Sequence, residues 1–132
     1  MKARNITSWV LRLVAAFIML QTLYFKFSAA PESIYIFTQV GMEPWGRIGT
    51  GVAELIASIL LLIPATIVIG ALLAIGVMLG AIVVHLFILG VEVQGDGGQL
   101  FAYAIMVMIA SVVLLVMHRE QLAHYRKILF KV

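Results

Sequence analysis

The stretch "GTGVAELIASILLLIP", residues 49–64, decides the fold. It is lipid-soluble along nearly its whole length, yet Glu54 sits inside it with no basic residue in the stretch. A carboxylate in hydrocarbon is costly, so Glu54 must be paired, protonated or used.

The rest of the chain reads the same way. Of its 132 residues, 64% are hydrophobic and 11% charged, whereas a soluble domain is about a quarter charged. The apolar residues fall in long runs, so the bilayer is the expected solvent. The length allows one membrane domain, residues 1–132, with about four spans of about twenty residues each. No room remains for a separate soluble catalytic domain. Cys is absent, which removes disulfides, thiol relays, iron–sulfur clusters and Cys-based zinc sites from this chain. The net charge of +3 is small, and its placement matters more than its size. No nucleic-acid partner is expected.

The N-terminal stretch "MKARNITSWVLRLVAAFIMLQTLYFKFSAA" has the basic start and apolar core of a signal peptide. Pro31 would follow the cut, however, and Arg12 interrupts the core. It is read as an uncleaved first span.

The spans are expected at about 6–27, 47–63, 66–90 and 99–117, with a tail over 118–132. Lys2, Arg4, Arg119, Arg126, Lys127 and Lys131 lie toward the two termini, while Glu32, Glu43, Glu92 and Asp96 lie in the other two loops. The positive-inside rule then places both termini in the cytoplasm of a bacterial-type inner membrane, with the acidic loops outside. Trp9 and Trp45 fall where interfacial aromatic belts belong. In the first outer loop, Pro31, Glu32 and Gly41 bracket a short helix with Ile34, Phe37 and Val40 on one face. It is expected to lie over the outer mouth as a connector. The second, with Gly95, Gly97 and Gly98, reads as a turn. The tail "HREQLAHYRKILFKV" is amphipathic, with Leu122, Tyr125, Leu129 and Val132 on one side, and is expected on the anionic inner leaflet. The fold class is thus an all-α membrane protein: a four-transmembrane-helix bundle with a short outer interfacial helix and a basic amphipathic C-terminal helix.

Each span carries a stripe of small and polar residues, the mark of a buried membrane helix face. Span one has Ser8, Arg12, Ala15, Met19, Thr22 and Lys26. Span two has Thr50, Glu54, Ala57 and Ser58. Span three has Ala74, Met78, Ala81 and His85, and span four has Gln99, Tyr103, Met106 and Ala110. "GVMLG", Gly76 to Gly80, adds a small-xxx-small surface read as close packing within the bundle. At about 1.5 Å per residue, Glu54 lies about 10 Å and His85 about 8 Å below the outer ends of their spans, and Lys26 lies at the outer end of its own. Glu54, His85 and Lys26 are therefore expected to converge in the outer half, with Tyr103 near the mouth, as ligand-binding or proton-handling candidates. Arg12 lies deeper, but its long side chain is expected to reach Glu54 as a buried ion pair. The plain alternatives are a register-fixing pair, a Lys26 that snorkels to the headgroups, and a neutral His85 satisfied by a backbone carbonyl. His118 and His124 lie in the tail, a bilayer away from His85. A bis-histidine haem within one chain is thereby excluded, and zinc ligands are not present in the sequence.

"LRLVAAFIMLQTLYFKF", "GTGVAELIASILLLIP" and "LGAIVVHLFILG" together resemble the DoxX-like family of small four-span membrane proteins. Its pattern has an Arg early in span one, a Lys at that span's end, a Glu in span two after small residues and a His late in span three. Arg12, Lys26, Glu54 and His85 fall on those positions. A Gly commonly stands about two residues before the Lys, where this chain has Tyr24 and Phe25. The resemblance implies a small membrane partner of something larger. Relatives are linked to thiosulfate:quinone oxidoreduction, oxidoreductase complexes and methylamine utilisation, and distant animal relatives look like assembly chaperones.

Three functions compete. The first is an accessory subunit of a redox system holding a quinone-like or other apolar ligand near Glu54 and His85, where an acid and an imidazole suit the protonation of a ring carbonyl. The second is an assembly or scaffold protein whose buried polar residues are structural. The third is a small-solute or proton-coupled carrier, for which four short spans leave little room. The chain is not expected to be a self-sufficient enzyme. A quinone is the compatible cofactor, and the expected partners are the lipid bilayer and another membrane or membrane-associated protein or a second copy of the chain.

Overall fold

The computed structural model describes residues 2–130, and of Lys2 the backbone alone. Six α-helices follow one another: α1 Lys2–Phe27, α2 Pro31–Val40, α3 Trp45–Leu62, α4 Ile67–Val84, α5 Gln99–Met117 and α6 Arg119–Leu129. No strand occurs among the described residues. The quoted stretch lies in α3, which stops where it must. Ile63 precedes Pro64 and is forced out of the helical region to φ −95, ψ 118, and a short 3₁₀ turn, Pro64–Thr66, leads into α4. Four helical segments are long and apolar enough to cross a membrane: Ala3–Phe27, Trp45–Leu62, Pro64–Leu89 and Gln99–Met117. The chain is an all-α, multi-pass membrane protein.

The four spans form a ring in the order α1–α3–α4–α5, closed by α5 against α1. Each neighbour in that ring runs antiparallel to the next. The start of α1, the 64–66 turn and α6 therefore share one end, here the tail end, and α2 and the 91–98 segment share the other, the loop end. Small residues line the axis: Ala15, Ala57, Ala71 and Ala74 are fully buried, with Met19, Leu61, Val107 and Leu114 filling the space between them. Large apolar side chains such as Phe17, Phe87 and Ile109 point outward, as they do where lipid is the solvent. At Gly70 the backbones of α3 and α4 come close enough that an added Cβ would lie 2.8 Å from the backbone nitrogen of Leu61. By contrast, Gly76 and Gly80 have open space where a Cβ would go. The "GVMLG" surface therefore faces out of the bundle, a correction to its reading as an internal contact.

Helices that run into one another's ends leave carbonyls without partners. Three arginines fill that need on neighbouring helices. Arg4 donates to the carbonyl of Met117, the last residue of α5. Arg12 Nε donates to Leu61 O, next to last in α3, at 2.5 Å. Arg47 Nη1 donates to Lys26 O, next to last in α1. Each cation thus meets the negative end of a helix dipole.

At the loop end, α2 begins on Pro31 and ends at Gly41 in the left-handed conformation (φ 80), where Met42 N–H donates to Phe37 O at 2.8 Å. It touches α1, α3 and a π-helical turn, His85–Leu89, that ends the third span. The expected connector is thus present. At the tail end, Ser8 Oγ and His118 Nε2 are 2.8 Å apart, and Arg4 Nη2 meets Glu120 Oε1 at 3.1 Å. Burial lowers the His118 pKa and the charge of Arg4 lowers it further; Glu120 opposes this and Arg12 reinforces it. With its folded pKa depressed, His118 binds fewer protons in the folded than in the unfolded state below about pH 6.5. Stability is therefore expected to fall as pH drops from about 7.5 to about 5.5. The melting temperature of the detergent-solubilised protein measures this, and His118→Gln should flatten the profile over that window. An unchanged profile in the variant would assign the acid sensitivity elsewhere.

Candidate functional site

Lys26 and Glu54 meet in the seam between α1 and α3. Lys26 Nζ lies 2.6 Å from Glu54 Oε1, with the two side chains 17% and 4% exposed. The approach is too bent for a hydrogen bond, so the contact is ionic. Thr22, one turn before Lys26 on α1, places its hydroxyl 3.5 Å from Glu54 Oε2 while donating to Met19 O at 2.8 Å. Ser58 Oγ donates to the carbonyl of Glu54 at 2.8 Å.

Two expectations are corrected here. Glu54 does not pair with Arg12, and Lys26 does not reach away to the headgroups. The reason is register. Arg12 lies fourteen residues before Lys26, about 21 Å along α1, which sets it beside the C-terminal end of α3. Leu61 is seven residues beyond Glu54, about 10 Å farther along α3. Arg12 is buried, stacks its guanidinium 3.7 Å over the ring of Trp9, and leaves Nη2 without a hydrogen-bond partner.

His85 is buried on the other side of the ring, at the start of the π-helical turn. Its Nδ1 lies 3.0 Å from Gly90 O and its ring packs edge-on against Phe101 at 5.5 Å. A carbonyl only accepts, so Nδ1 carries the proton, and in the neutral ring Nε2 is the free base. The turn makes this possible, since its widened i→i+5 bond, Gly90 N–H to His85 O at 2.7 Å, brings Gly90 back under the ring. Nearby, Asp96 accepts from the backbone N–H groups of Val93, Gly98 and Leu100 at 2.8–3.2 Å. Burial raises the Asp96 pKa, but those three donors outweigh it and hold it below the usual carboxylate value. Asp96 thereby orders the loop and the first turn of α5. No hydrogen bond, ion pair or ring contact joins His85 to Glu54 or Lys26 among the described residues. The four candidates thus form one pair, Lys26 with Glu54, and two separate residues, His85 and a tyrosine.

That tyrosine, Tyr103, accepts a hydrogen bond from Gln99 Nε2 at 3.0 Å. It lines a groove of roughly 410 Å³ between α1 and α5 with Leu13, Val14, Phe17, Ile18, Gln21 and Met106. Met106, placed on the inward stripe by spacing, is half exposed on this outer surface; Ala110 of that stripe is buried, together with Ala104, Val107, Ser111 and Leu114. The hydroxyl of Ser111 is buried without a partner. Span four is apolar nearly all round, so Tyr103 was its main polar landmark, and it sits at the edge of the buried face. Sequence reasoning passed over Gln21 and Arg47. Gln21 is a polar residue one position off the inward stripe of α1. Arg47 was taken only as a span boundary, though Glu43, four residues earlier, marked its partner: Nε lies 2.7 and 3.0 Å from the two carboxylate oxygens. Among the described residues, no group of His, Cys, Asp and Glu is placed to hold a metal ion.

No curated protein and no solved structure matches the chain with significance. The model of a family described as DoxX-like matches residues 10–114. That interval holds Arg12, Lys26, Glu54 and His85 and nearly all of the four-span ring, so the chain belongs to the DoxX-like family.

Proposed function

We propose that this chain is an accessory membrane module of a redox assembly that holds a quinone-like ring compound, and that the ligand sits in the α1/α5 groove rather than between Glu54 and His85. The groove carries the reading. Its α1 wall runs from Leu13 to Gln21, about 12 Å. Its lining is mostly apolar, and its loop end carries the Gln21 amide and the Tyr103 hydroxyl. An amphiphile with a ring carbonyl fits that grading: the polar end donates to the carbonyl, the tail lies along Leu13 and Phe17, and entry is sideways from lipid. Electrons come from the larger partner. Reduction of the ring consumes protons, and His85, at the loop end, takes up a proton on Nε2 and passes it on toward the ring carbonyl. With Arg4, Arg119, Arg126 and Lys127 at the tail end and Glu32, Glu43, Glu92 and Asp96 at the loop end, both termini face the cytoplasm of a bacterial-type inner membrane.

The test is extraction of the purified protein and mass spectrometry of the lipid-soluble compounds retained. A ring compound of the quinone class is expected above the level in an unrelated membrane protein from the same cells. Tyr103→Phe with Gln21→Leu should reduce it about tenfold, the loss of two neutral hydrogen bonds of about 0.5–1.5 kcal/mol each. A second reading, an assembly scaffold, is favoured by one observation: Lys26, Glu54, Arg4 and Arg47 each already have a partner within the fold. Retention of nothing beyond bulk lipid would leave that reading standing.

A further inference from the structure

We infer that α6 is an anionic-phospholipid site that couples the leaflet at the tail end to the bundle through Gln121 and Tyr125. The inference is independent of the quinone reading. Helix α6 starts two residues after the end of the fourth span and is tied to the 64–68 segment. Gln121 Nε2 donates to Pro64 O at 2.6 Å and its Oε1 accepts from Val68 N–H at 3.1 Å, one of the unpaired donors in the first turn of α4. The Tyr125 hydroxyl donates to Ala65 O. The helix therefore cannot swing away from the end of the bundle.

On a helix of about 100° per residue, Leu122, Ile128 and Leu129 lie within about 60° of Tyr125. They share the side that faces the bundle, yet they are 43%, 59% and 72% exposed. What lies beside a four-span bundle at that level is lipid, so the bilayer covers them. Arg119 and Arg126 lie along one edge of this face, about 100–120° from Tyr125, and Lys127 lies on the opposite side. Glu120, already held by Arg4, is the only acid on the helix. Val132 and Lys131, expected to extend this pattern, lie outside the described residues. Apolar side chains toward the acyl chains with basic side chains at headgroup level make a surface for anionic phospholipid. An acidic protein surface would match the charge but would leave Leu122, Ile128 and Leu129 uncovered.

The full chain in zwitterionic detergent is titrated with phosphatidylglycerol or with phosphatidylcholine, and the melting temperature and bound-lipid count are read, the latter by native mass spectrometry. Phosphatidylglycerol should raise the melting temperature by several degrees and phosphatidylcholine should not, with most of the difference lost at high salt. Arg126→Gln with Lys127→Gln, both exposed and without a bond to the bundle, should melt like the parent without lipid and lose more than half of the gain. Gln121→Ala with Tyr125→Phe should keep the bound phosphatidylglycerol but lose the gain. Equal stabilisation by both lipids, or an unaltered response in Arg126→Gln with Lys127→Gln, overturns the site. A full gain in the Gln121→Ala, Tyr125→Phe variant overturns the coupling. Stabilisation by a polyglutamate peptide but not by phosphatidylglycerol would assign the surface to an acidic protein instead.

Discussion

Glu54→Ala is expected to destabilise the detergent-solubilised protein by about 3–5 kcal/mol, the usual consequence of leaving one member of a buried pair alone. The ammonium of Lys26 would remain at the α1/α3 seam, 17% exposed, with its 2.6 Å partner gone. Lys26→Ala is expected to cost a similar amount, because a carboxylate 4% exposed would then have only the distant Thr22 hydroxyl. A double-mutant cycle separates this pair from the alternative. Lys26→Ala combined with Glu54→Ala should cost clearly less than the sum of the single changes. Arg12→Ala combined with Glu54→Ala should be additive to within about 0.5 kcal/mol, since they are two helical turns apart along α3 and share no partner. A large coupling between Arg12 and Glu54, with additivity at Lys26, would show that the pairing described here is wrong. The same variants bear on function. Under the groove reading, Glu54→Gln should impair folding before it impairs ligand retention.

Gly70→Ala is expected to cost about 1–3 kcal/mol, the usual range of overpacking effects. The new methyl would stand 2.8 Å from Leu61 N, 2.9 Å from Leu60 Cβ and 3.1 Å from Ala57 O. Two of those three atoms are backbone within α3 and cannot rotate aside, so the α3/α4 seam itself must open. That seam also carries Leu61 O, the acceptor of Arg12, so the change should propagate to the buried guanidinium. Gly76→Ala and Gly80→Ala are the controls. Both positions are open, and both changes should be neutral or slightly stabilising through better helix propensity, worth about 0.5–1 kcal/mol. Melting temperatures of the three variants in one detergent decide it. Equal losses at all three would show that Gly70 does not close against the α3 backbone.

Much of the fold was legible because bilayer physics leaves few choices. Runs of apolar residues long enough to cross hydrocarbon must be helices, since no water is there to satisfy their backbones. The ends were legible where local chemistry dictates them. Pro64 stops α3, Pro31 starts α2 and Gly41 ends it. The inward faces of α1, α3 and α4 followed from stripes of small and polar residues, with Ala15, Met19, Ala57, Ala74 and His85 all buried. On α5, where the polar marks are sparse, the stripe placed Ala110 correctly and Met106 wrongly.

Local sequence thus determined that this chain spans a membrane with four helices, where those helices end, and that Arg12, Lys26, Glu54 and His85 lie in or against the buried interior. Tertiary structure alone decided who meets whom. Partner choice depends on the offset between antiparallel helices, and a shift of one turn, about 5.4 Å, moves a side chain from one partner to the next. Nothing in the order of residues states that offset. It is set by the Gly70 approach of α4 to α3 and by the interlocking of Ala15, Met19, Ala57 and Leu61. The consequence is a Glu54 held by Lys26, an Arg12 that serves the end of a helix, and a His85 kept apart from both.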